Sequence, residues 1–461
     1  MKNIELATPW LLCAAALAFP FSVAATNVAL GLALASGIVS DQFWLGAKIL
    51  RQQYKWLSLC LVSYLGLFII GLLWSNDIDW GLHVLGRQWF WLLVPVVVVA
   101  LIDMEWRHRF LLALSIGLSL HLAYCVLQIA GYVSVTVQGS DASNATGHIG
   151  HIGFGFVYGI WGGWLLHWGW ENTGLKRQVA WALSLWAWVM IFAAQGRSGY
   201  LVAVAMIFVV LWKHLLSGYG WRRTGITFCL TLTIIALAMA GPGKERVQQT
   251  WQSFKAFQQG DMEHAEARWS LSFGAIEIWK TSPVLGVGTG GFPKAAEHIR
   301  QQMPELNYDN YINVYRGKEI YEKNRQQMPE SNYDDFVKDY QSEKFYEKVR
   351  VEVVHPHNAY LFALARWGVS GVVVLVFFLF LWVCTGWRAD WTKLQAGPLI
   401  TLSGVALAVH GLSSSSLEDH FSGILAALLL GIGLAEVIDK ATFDPADVPD
   451  SSIPSPERVP S

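Results

Sequence analysis

HPHNAYLFALARWGVSGVVVLVFFLFLW, residues 355–382, opens with two histidines and an asparagine and within a dozen residues becomes strongly apolar. A helix that crosses a bilayer takes about 20 apolar residues, and GVVVLVFFLFLWVCTG is nearly long enough by itself. The preceding HNAYLFALAR is therefore expected as a separate short helix at the membrane interface, broken from the span at Gly368 and Gly371. His357 then stands at the lip of the bilayer.

The same apolar texture fills most of the chain. With 54% hydrophobic residues and 24 Trp in 461 residues, the sequence predicts an all-α polytopic membrane protein rather than a large soluble one. Twelve transmembrane spans are expected, near residues 8–25, 27–46, 57–74, 89–103, 110–132, 150–170, 178–195, 199–217, 225–240, 369–386, 395–412 and 421–438. The implied organisation is nine spans in 1–240, a large loop in 241–368 that includes the interfacial helix, three more spans in 369–438, and a polar tail in 439–461. Ser22-Val23-Ala24 has the small residues of a cleavage site, but a second apolar run follows at once, so the first span is read as retained. The tail, rich in Pro, Ser and Asp, reads as disordered.

Orientation follows from Lys and Arg, which concentrate in short cytoplasmic loops. One set of alternate loops and span ends carries Lys2, Lys48, Arg51, Lys55, Arg107, Arg109, Lys176, Arg177, Lys213, Arg222, Arg223, Arg388 and Lys393; the other carries only Arg87 and Arg197. Both termini are therefore expected in the cytoplasm and the large loop on the outer side. The five cysteines all fall in apolar spans, which implies neither a disulfide framework nor a thiolate metal site. A net charge of -1 gives no sign of nucleic acid as a partner.

The large loop contains a duplication. RQQMPELNYDNY from Arg300 recurs as RQQMPESNYDDF from Arg325, a period of 25 residues. Two copies fall short of a solenoid, so they are expected as a helical cap over the outer face. Upstream, GVGTGGF at 286–292 lacks a preceding strand and a Walker lysine, which excludes a nucleotide cradle and leaves a tight turn that redirects the chain.

Arg87 and Arg197 run against the charge bias of their side, and Arg268 follows them in the outer loop. Arginine offers a planar fork of donors that fits phosphate oxygens and stays charged when desolvated. These three are candidate ligands for a pyrophosphate. His357 is the candidate general base, since imidazole titrates near neutrality and can accept a hydroxyl proton; His355, before Pro356, is given only a turn role. His148 and His151 could share a helix face as a metal pair, but no carboxylate or cysteine accompanies them, so no metal ligands are assigned. Glu418, Asp419 and His420 either orient a substrate sugar or cap the last span.

Taken together these residues resemble the O-antigen ligase family. Its signature is His followed by Asn, Ser or Gln, nine residues, then Gly-x-x-Gly; here His357-Asn358 is followed by AYLFALARW and then Gly368-Val369-Ser370-Gly371. The resemblance implies a metal-independent membrane glycosyltransferase of GT-C-like fold, without cofactor. Such an enzyme moves a polysaccharide from an undecaprenyl-pyrophosphate-linked donor to the lipid A core, on the periplasmic side of a Gram-negative inner membrane. On this chain it implies His357 as the catalytic residue, Arg197 and Arg268 as pyrophosphate contacts, and Arg87 and Asn358 as further substrate-binding positions, Arg87 being the looser match. The duplication is no part of the family pattern. An O-antigen polymerase or a protein O-oligosaccharyltransferase would use similar residues on another acceptor. A lipid-linked-glycan transporter is disfavoured because its charges belong at the bilayer midplane.

Overall fold

Polar side chains at the helix entrances fix where many helices begin. Ser22, Asp77, Asp103 and Asn358 each accept a backbone N–H of the following first turn, satisfying donors that a helix start leaves unpaired. The computed structural model describes residues 2–134, 146–194, 196–216, 243–259, 267–302 and 356–443, and among them there are helices and turns but no strand.

The first part comprises α1 (Lys2–Ala18), α2 (Val23–Val39), α3 (Gln42–Gln53), α4 (Lys55–Ile70), α5 (Ile78–Gly86), a 3-10 turn (Trp89–Leu92), α6 (Leu93–Ala100) and α7 (Met104–Ile129). Next come α8 (His151–Glu171), α9 (Gly174–Ala193) and α10 (Arg197–Leu211), the last continuing into a π-helical turn, Trp212–Leu216. The large loop supplies α11 (Gly243–Gln258), α12 (Ala267–Thr281) and α13 (Phe292–Gln302). The chain closes with α14 (Ala359–Trp387), α15 (Pro398–His410) and α16 (His420–Phe443). The duplicated segment beyond Gln302, the expected span at 225–240 and the tail beyond Phe443 lie outside the described residues; α16 itself runs past the expected boundary at 439.

Among the described residues, four helical stretches are long and apolar enough to cross a membrane: α7, Ser198–Leu215, α14 and His420–Lys440. The number is six if each bent pair is one span, α2 with α3 at 81° and α5 with Trp89–Ala100 at 40°. The expected spans at 27–46 and 89–103 are thus bent pairs. Glu5–Ala18, Lys55–Ile70 and Pro398–His410 are apolar but short. Helix α8 occupies the expected span at 150–170, yet His, Gly, Tyr and Trp lower its hydropathy. It can carry them because it is buried among α9, α10, α15 and α16 rather than facing lipid.

Helix α8 meets α10 along a stripe of small residues. A Cβ at Gly155 would collide with Gly199, at Gly159 with Val202, and at Gly163 with Met206, so the backbones approach closely in the manner of small-xxx-small helix pairs.

Helix α14 is broken where the sequence indicates. Gly368 has φ 64° and ψ -157°, a region open essentially to glycine alone, whereas Gly371 remains helical. The break interrupts the backbone ladder, and the glycine turn at 286–291 repairs it from outside. Val287 N–H donates to the Ala365 carbonyl at 3.0 Å, Gly288 N–H to the Arg366 carbonyl at 2.8 Å, and Val369 N–H to the Pro283 carbonyl at 3.0 Å. The turn also reaches the end of α4, through Thr289 N–H to the Gly71 carbonyl at 3.0 Å and Gly290 N–H to Ser75 Oγ at 3.0 Å. Below it, Leu271, Ala275, Ile278, Phe292, Ala296 and Ile299 of α12 and α13 form a small core with Phe362 and Ala365 of α14. Helices α12 and α13 are thereby packed onto the first half of α14.

Candidate active site

His357 precedes α14 with φ 46°, in the left-handed region that few non-glycine residues adopt and in which His is enriched. The residues after it hold it there. The Asn358 side-chain oxygen accepts Tyr360 N–H and Leu361 N–H, each at 3.0 Å, while its Nδ2 donates to the Leu412 carbonyl at 3.0 Å. Ala359 N–H donates to the Gly411 carbonyl at 2.8 Å, and Tyr360 O–H to the Ala408 carbonyl at 2.8 Å. On the other flank, Ser272 Oγ donates to the Pro356 carbonyl at 3.4 Å. Both ends of the Asn358 amide are thus engaged in capping α14 and tying it to the end of α15. Loss of such a cap costs about 0.5–2 kcal/mol. The geometry makes Asn358 a positioning residue for His357.

Arg87 follows α5 on the surface and donates from NH2 to the Glu418 backbone carbonyl at 3.3 Å. Arg197 and Arg268 open α10 and α12; their side chains lie outside the described part. Their backbones are carried to the end of the molecule that holds His357. Gly196 abuts the His151 carbonyl at the start of α8, and His410, at the end of α15, has Nε2 3.1 Å from the Ile152 carbonyl. Arg268 lies one helical turn before Ser272, whose hydroxyl reaches Pro356.

The structure adds a cation that sequence reasoning passed over. Arg366, two residues before the break, has only 3% of its side chain exposed, and its NH1 lies 2.7 Å from both carboxylate oxygens of Glu418. Its guanidinium lies over the Phe362 ring, 3.6 Å from the centroid. Beside the pair is a cavity of about 10 Å³ whose lining includes Tyr64, Trp367, Ser415 and Glu418, enough for about one water. Glu418 therefore neutralises Arg366 rather than standing free for a sugar. Asp419 caps α16, accepting Ser422 N–H at 3.0 Å. A signal was present in the sequence: ARWG puts an arginine inside the motif, at the membrane lip.

Among the described residues, His148 and His151 form no ligand cluster with a third group. The His148 N–H donates to His121 Nε2 at 3.3 Å and its ring stacks on Tyr124. Among the described residues, the convergent ligand set is His167, Glu171 and His214, at the opposite end of α8. Nearer the His357 end, Asp77 joins the start of α5 to α13 through Lys294 Nζ at 3.1 Å. Its carboxyl is held below the ordinary 3.8, first by the Trp80 N–H and, against the opposing effect of burial, by Lys294.

A helical membrane protein whose glycine-broken helix presents a strained histidine, with arginine positions gathered at the same end, is the class that fold and site define. Residues 182–315 match the O-antigen ligase family, and the family resemblance read from the His357 motif is supported by a segment that does not contain that motif. The matched segment includes Arg197 and Arg268. No curated protein matches the chain.

Proposed function

We propose that the chain is an O-antigen ligase with the GT-C-like, twelve-span layout expected from its sequence. It moves a glycan from undecaprenyl pyrophosphate to a sugar hydroxyl of lipid A core, at the periplasmic face of a Gram-negative inner membrane. The observation that carries the proposal is His357, in a left-handed conformation at the mouth of α14, next to an asparagine whose amide is engaged at both ends in capping that helix and tying it to Leu412. Residues in such costly conformations persist where the surroundings over-determine them, and they cluster at functional sites.

In the transfer, the bond between the anomeric carbon and the pyrophosphate oxygen breaks, and its electron pair leaves on the pyrophosphate. The acceptor oxygen forms the new bond to that carbon and gives its proton to His357. Arg197 and Arg268, with Arg87 at the rim, balance the charge on the leaving group. Among the described residues, Glu418 is engaged by Arg366 and Asp419 by its cap, which supports a mechanism built on imidazole and guanidinium.

The test is reconstitution of the full chain in liposomes with a lipid-linked glycan and lipid A core, followed by analysis of the linkage formed. Transfer onto the core without an energy source, persisting in excess chelator, is expected. Product found only as a longer lipid-linked glycan or on protein serine would reassign the acceptor. Movement of intact donor across the bilayer without transfer would make the protein a transporter.

A further inference from the structure

The face of α8 that packs on α10 does not end with its glycines. Gly155, Gly159 and Gly163 are followed at the same four-residue interval by His167 and then Glu171, so one stripe carries an imidazole and a carboxylate along the contact with α10. There α10 passes into the π-helical turn Trp212–Leu216, which contains His214. Such turns are rare and recur at functional sites, because the extra residue re-aims a side chain. The three ligand atoms offered by His167, Glu171 and His214 lie within 4.8 Å of one another. This cluster is at the opposite end of α8 from His357, and the proposed transfer makes no use of it.

The hydrogen bonds define what the cluster lacks. His167 Nε2 lies 3.2 Å from the Leu394 carbonyl, which can only accept, so Nε2 carries the proton and Nδ1 of the neutral ring presents a lone pair. That lone pair faces His214 Nε2 at 2.9 Å. If His214 Nε2 donates there, a neutral His214 turns a bare Nδ1 toward Glu171 Oε1, 3.5 Å away, and two acceptors confront each other. A cation resolves this conflict. The ring of His167 is edge-on to Trp391 and that of His214 stacks on Trp170, with centroids 5.6 and 5.1 Å apart. Both imidazoles are therefore fixed in an apolar wall, with 6% or less of either His214 or His167 exposed. Among the described residues nearby, the Lys213 ammonium donates to the Trp387 carbonyl and lies over Trp387 and Trp391, and Asp390 accepts from Thr392 and faces Lys393.

We propose that His167, Glu171 and His214 bind one divalent transition-metal ion of the zinc class, which staples α8 to the end of α10. Two imidazoles and a carboxylate suit such an ion, with water completing four-coordination. Metal-bound atoms about 2.0–2.1 Å from a tetrahedral centre sit about 3.3 Å from each other, so the 2.9 Å pair opens only slightly to admit it. The His167 N–H bond to a backbone carbonyl is the arrangement that orients a metal-ligating imidazole and raises its basicity.

The experiment uses the full chain purified in detergent, stripped with chelator, and titrated with Co²⁺ as an optical probe, then with Zn²⁺ as competitor. One equivalent of Co²⁺ with the visible absorption of nitrogen and oxygen ligation, displaced by Zn²⁺, is expected. Glu171→Gln and His214→Gln should each weaken binding by at least about tenfold, while His298→Gln, on the exposed face of α13, leaves it unchanged. Glu171→Gln is nearly isosteric at a partly exposed site, so it remains informative where a histidine variant does not fold. Absence of stoichiometric Co²⁺ binding, or equal binding in Glu171→Gln and wild type, overturns the site and leaves a protonated His214 on Glu171 as the resolution. Neither result depends on glycan transfer, so this inference stands or falls apart from the proposed function.

Discussion

Replacing Gly368 by Ala tests whether the break in α14 builds the site. At φ 64° and ψ -157° an alanine pays a conformational cost of about 1–3 kcal/mol. Its Cβ would also collide with the Val284 carbonyl and come within 2.6 Å of the Pro283 oxygen, backbone atoms that cannot rotate away. The turn at 283–291 would have to retreat, giving up the bonds from Val287 to Ala365, from Gly288 to Arg366 and from Val369 to Pro283. At about 0.5–1.5 kcal/mol for each bond, the summed loss is about 2.5–7.5 kcal/mol if the shape is kept. The alternative is that the helix straightens, regaining about 1 kcal/mol of helix propensity over glycine while expelling the turn.

Either response moves the segment that carries His357, and a misplacement of about 1 Å at a reacting group can cost about 10²-fold in rate. The assay is thermal denaturation in detergent together with the initial rate of transfer in liposomes. Gly66→Ala is the control, since a Cβ there meets nothing within 4 Å. A rate loss of at least about 10²-fold is expected for Gly368→Ala and none for Gly66→Ala. If the two variants are indistinguishable in stability and rate, the break is incidental and the reasoning fails.

Arg197→Ala and Arg268→Ala should each lower transfer strongly in protein that still inserts, with Lys a poor substitute because it lacks the bidentate fork; full activity in both Ala variants would remove the pyrophosphate assignment. His357→Ala should lose about 10²- to 10⁴-fold in rate with donor binding largely kept, and His355→Ala much less; a His357 defect confined to donor binding would move that residue to the leaving-group contacts. Removing one partner of the Arg366–Glu418 pair should destabilise by about 3–5 kcal/mol, because a charge is left buried and alone, whereas Arg366→Leu with Glu418→Leu should recover much of it; additive losses in chemical denaturation would refute the pairing. The Asp77 carboxyl is depressed in the folded protein, so its contribution to stability is full above about pH 3.8 and is lost as pH falls through the folded value. Lys294→Met should therefore lower the melting temperature slightly at pH 7, by under about 1 kcal/mol of stability for so exposed a lysine, and by less once Asp77 is protonated, when the Lys294 bond to the Asn76 carbonyl remains; a difference that does not shrink in acid would sever Lys294 from Asp77.

The break at Gly368 was legible because two glycines interrupt an apolar run too long for one span and its interface helix. What fills the break was not: the bonds joining 287 to 365 and 288 to 366 cross nearly eighty residues, and no local spacing announces them. The glycine turn looked like a change of direction because its partner could not be seen from its own composition. For a related reason, only part of the expected span count is matched by long apolar helices among the described residues. Hydropathy reports exposure to lipid, and α8 is wrapped by other helices, so its Gly, Trp and His content reflects neighbours rather than the bilayer. His167 and His214 lie 47 residues apart, beyond any motif, although the four-residue repeat from Gly155 to Glu171 was open to reading as one ridge of successive neighbours. Among the candidate site residues, the sequence grouped Arg87, Arg197, Arg268 and His357 by their membrane side, but it could not reveal that Glu418 belongs to Arg366.

The opening segment of α14 is clamped at both ends by groups outside the helix. At its mouth the Asn358 amide and Ala359 N–H are tied to Leu412 and Gly411; at the break, the carbonyls of Ala365 and Arg366 are tied to the glycine turn, and Val369 to Pro283. Between these clamps Arg366 is pinned to Glu418, which also receives Arg87. A short interfacial helix would ordinarily fray, since its first N–H and last C=O groups have no partners within it. Here the Asn358 cap holds Tyr360 and Leu361 N–H, and other elements hold Ala359 N–H and the Ala365 and Arg366 carbonyls. The consequence is that displacement of the 283–291 turn, the 411–418 loop or the end of α5 is transmitted to His357 as movement of one rigid piece. The glycine turn thus contributes to the proposed chemistry without contacting it, by making the helix that presents the base stop where it does.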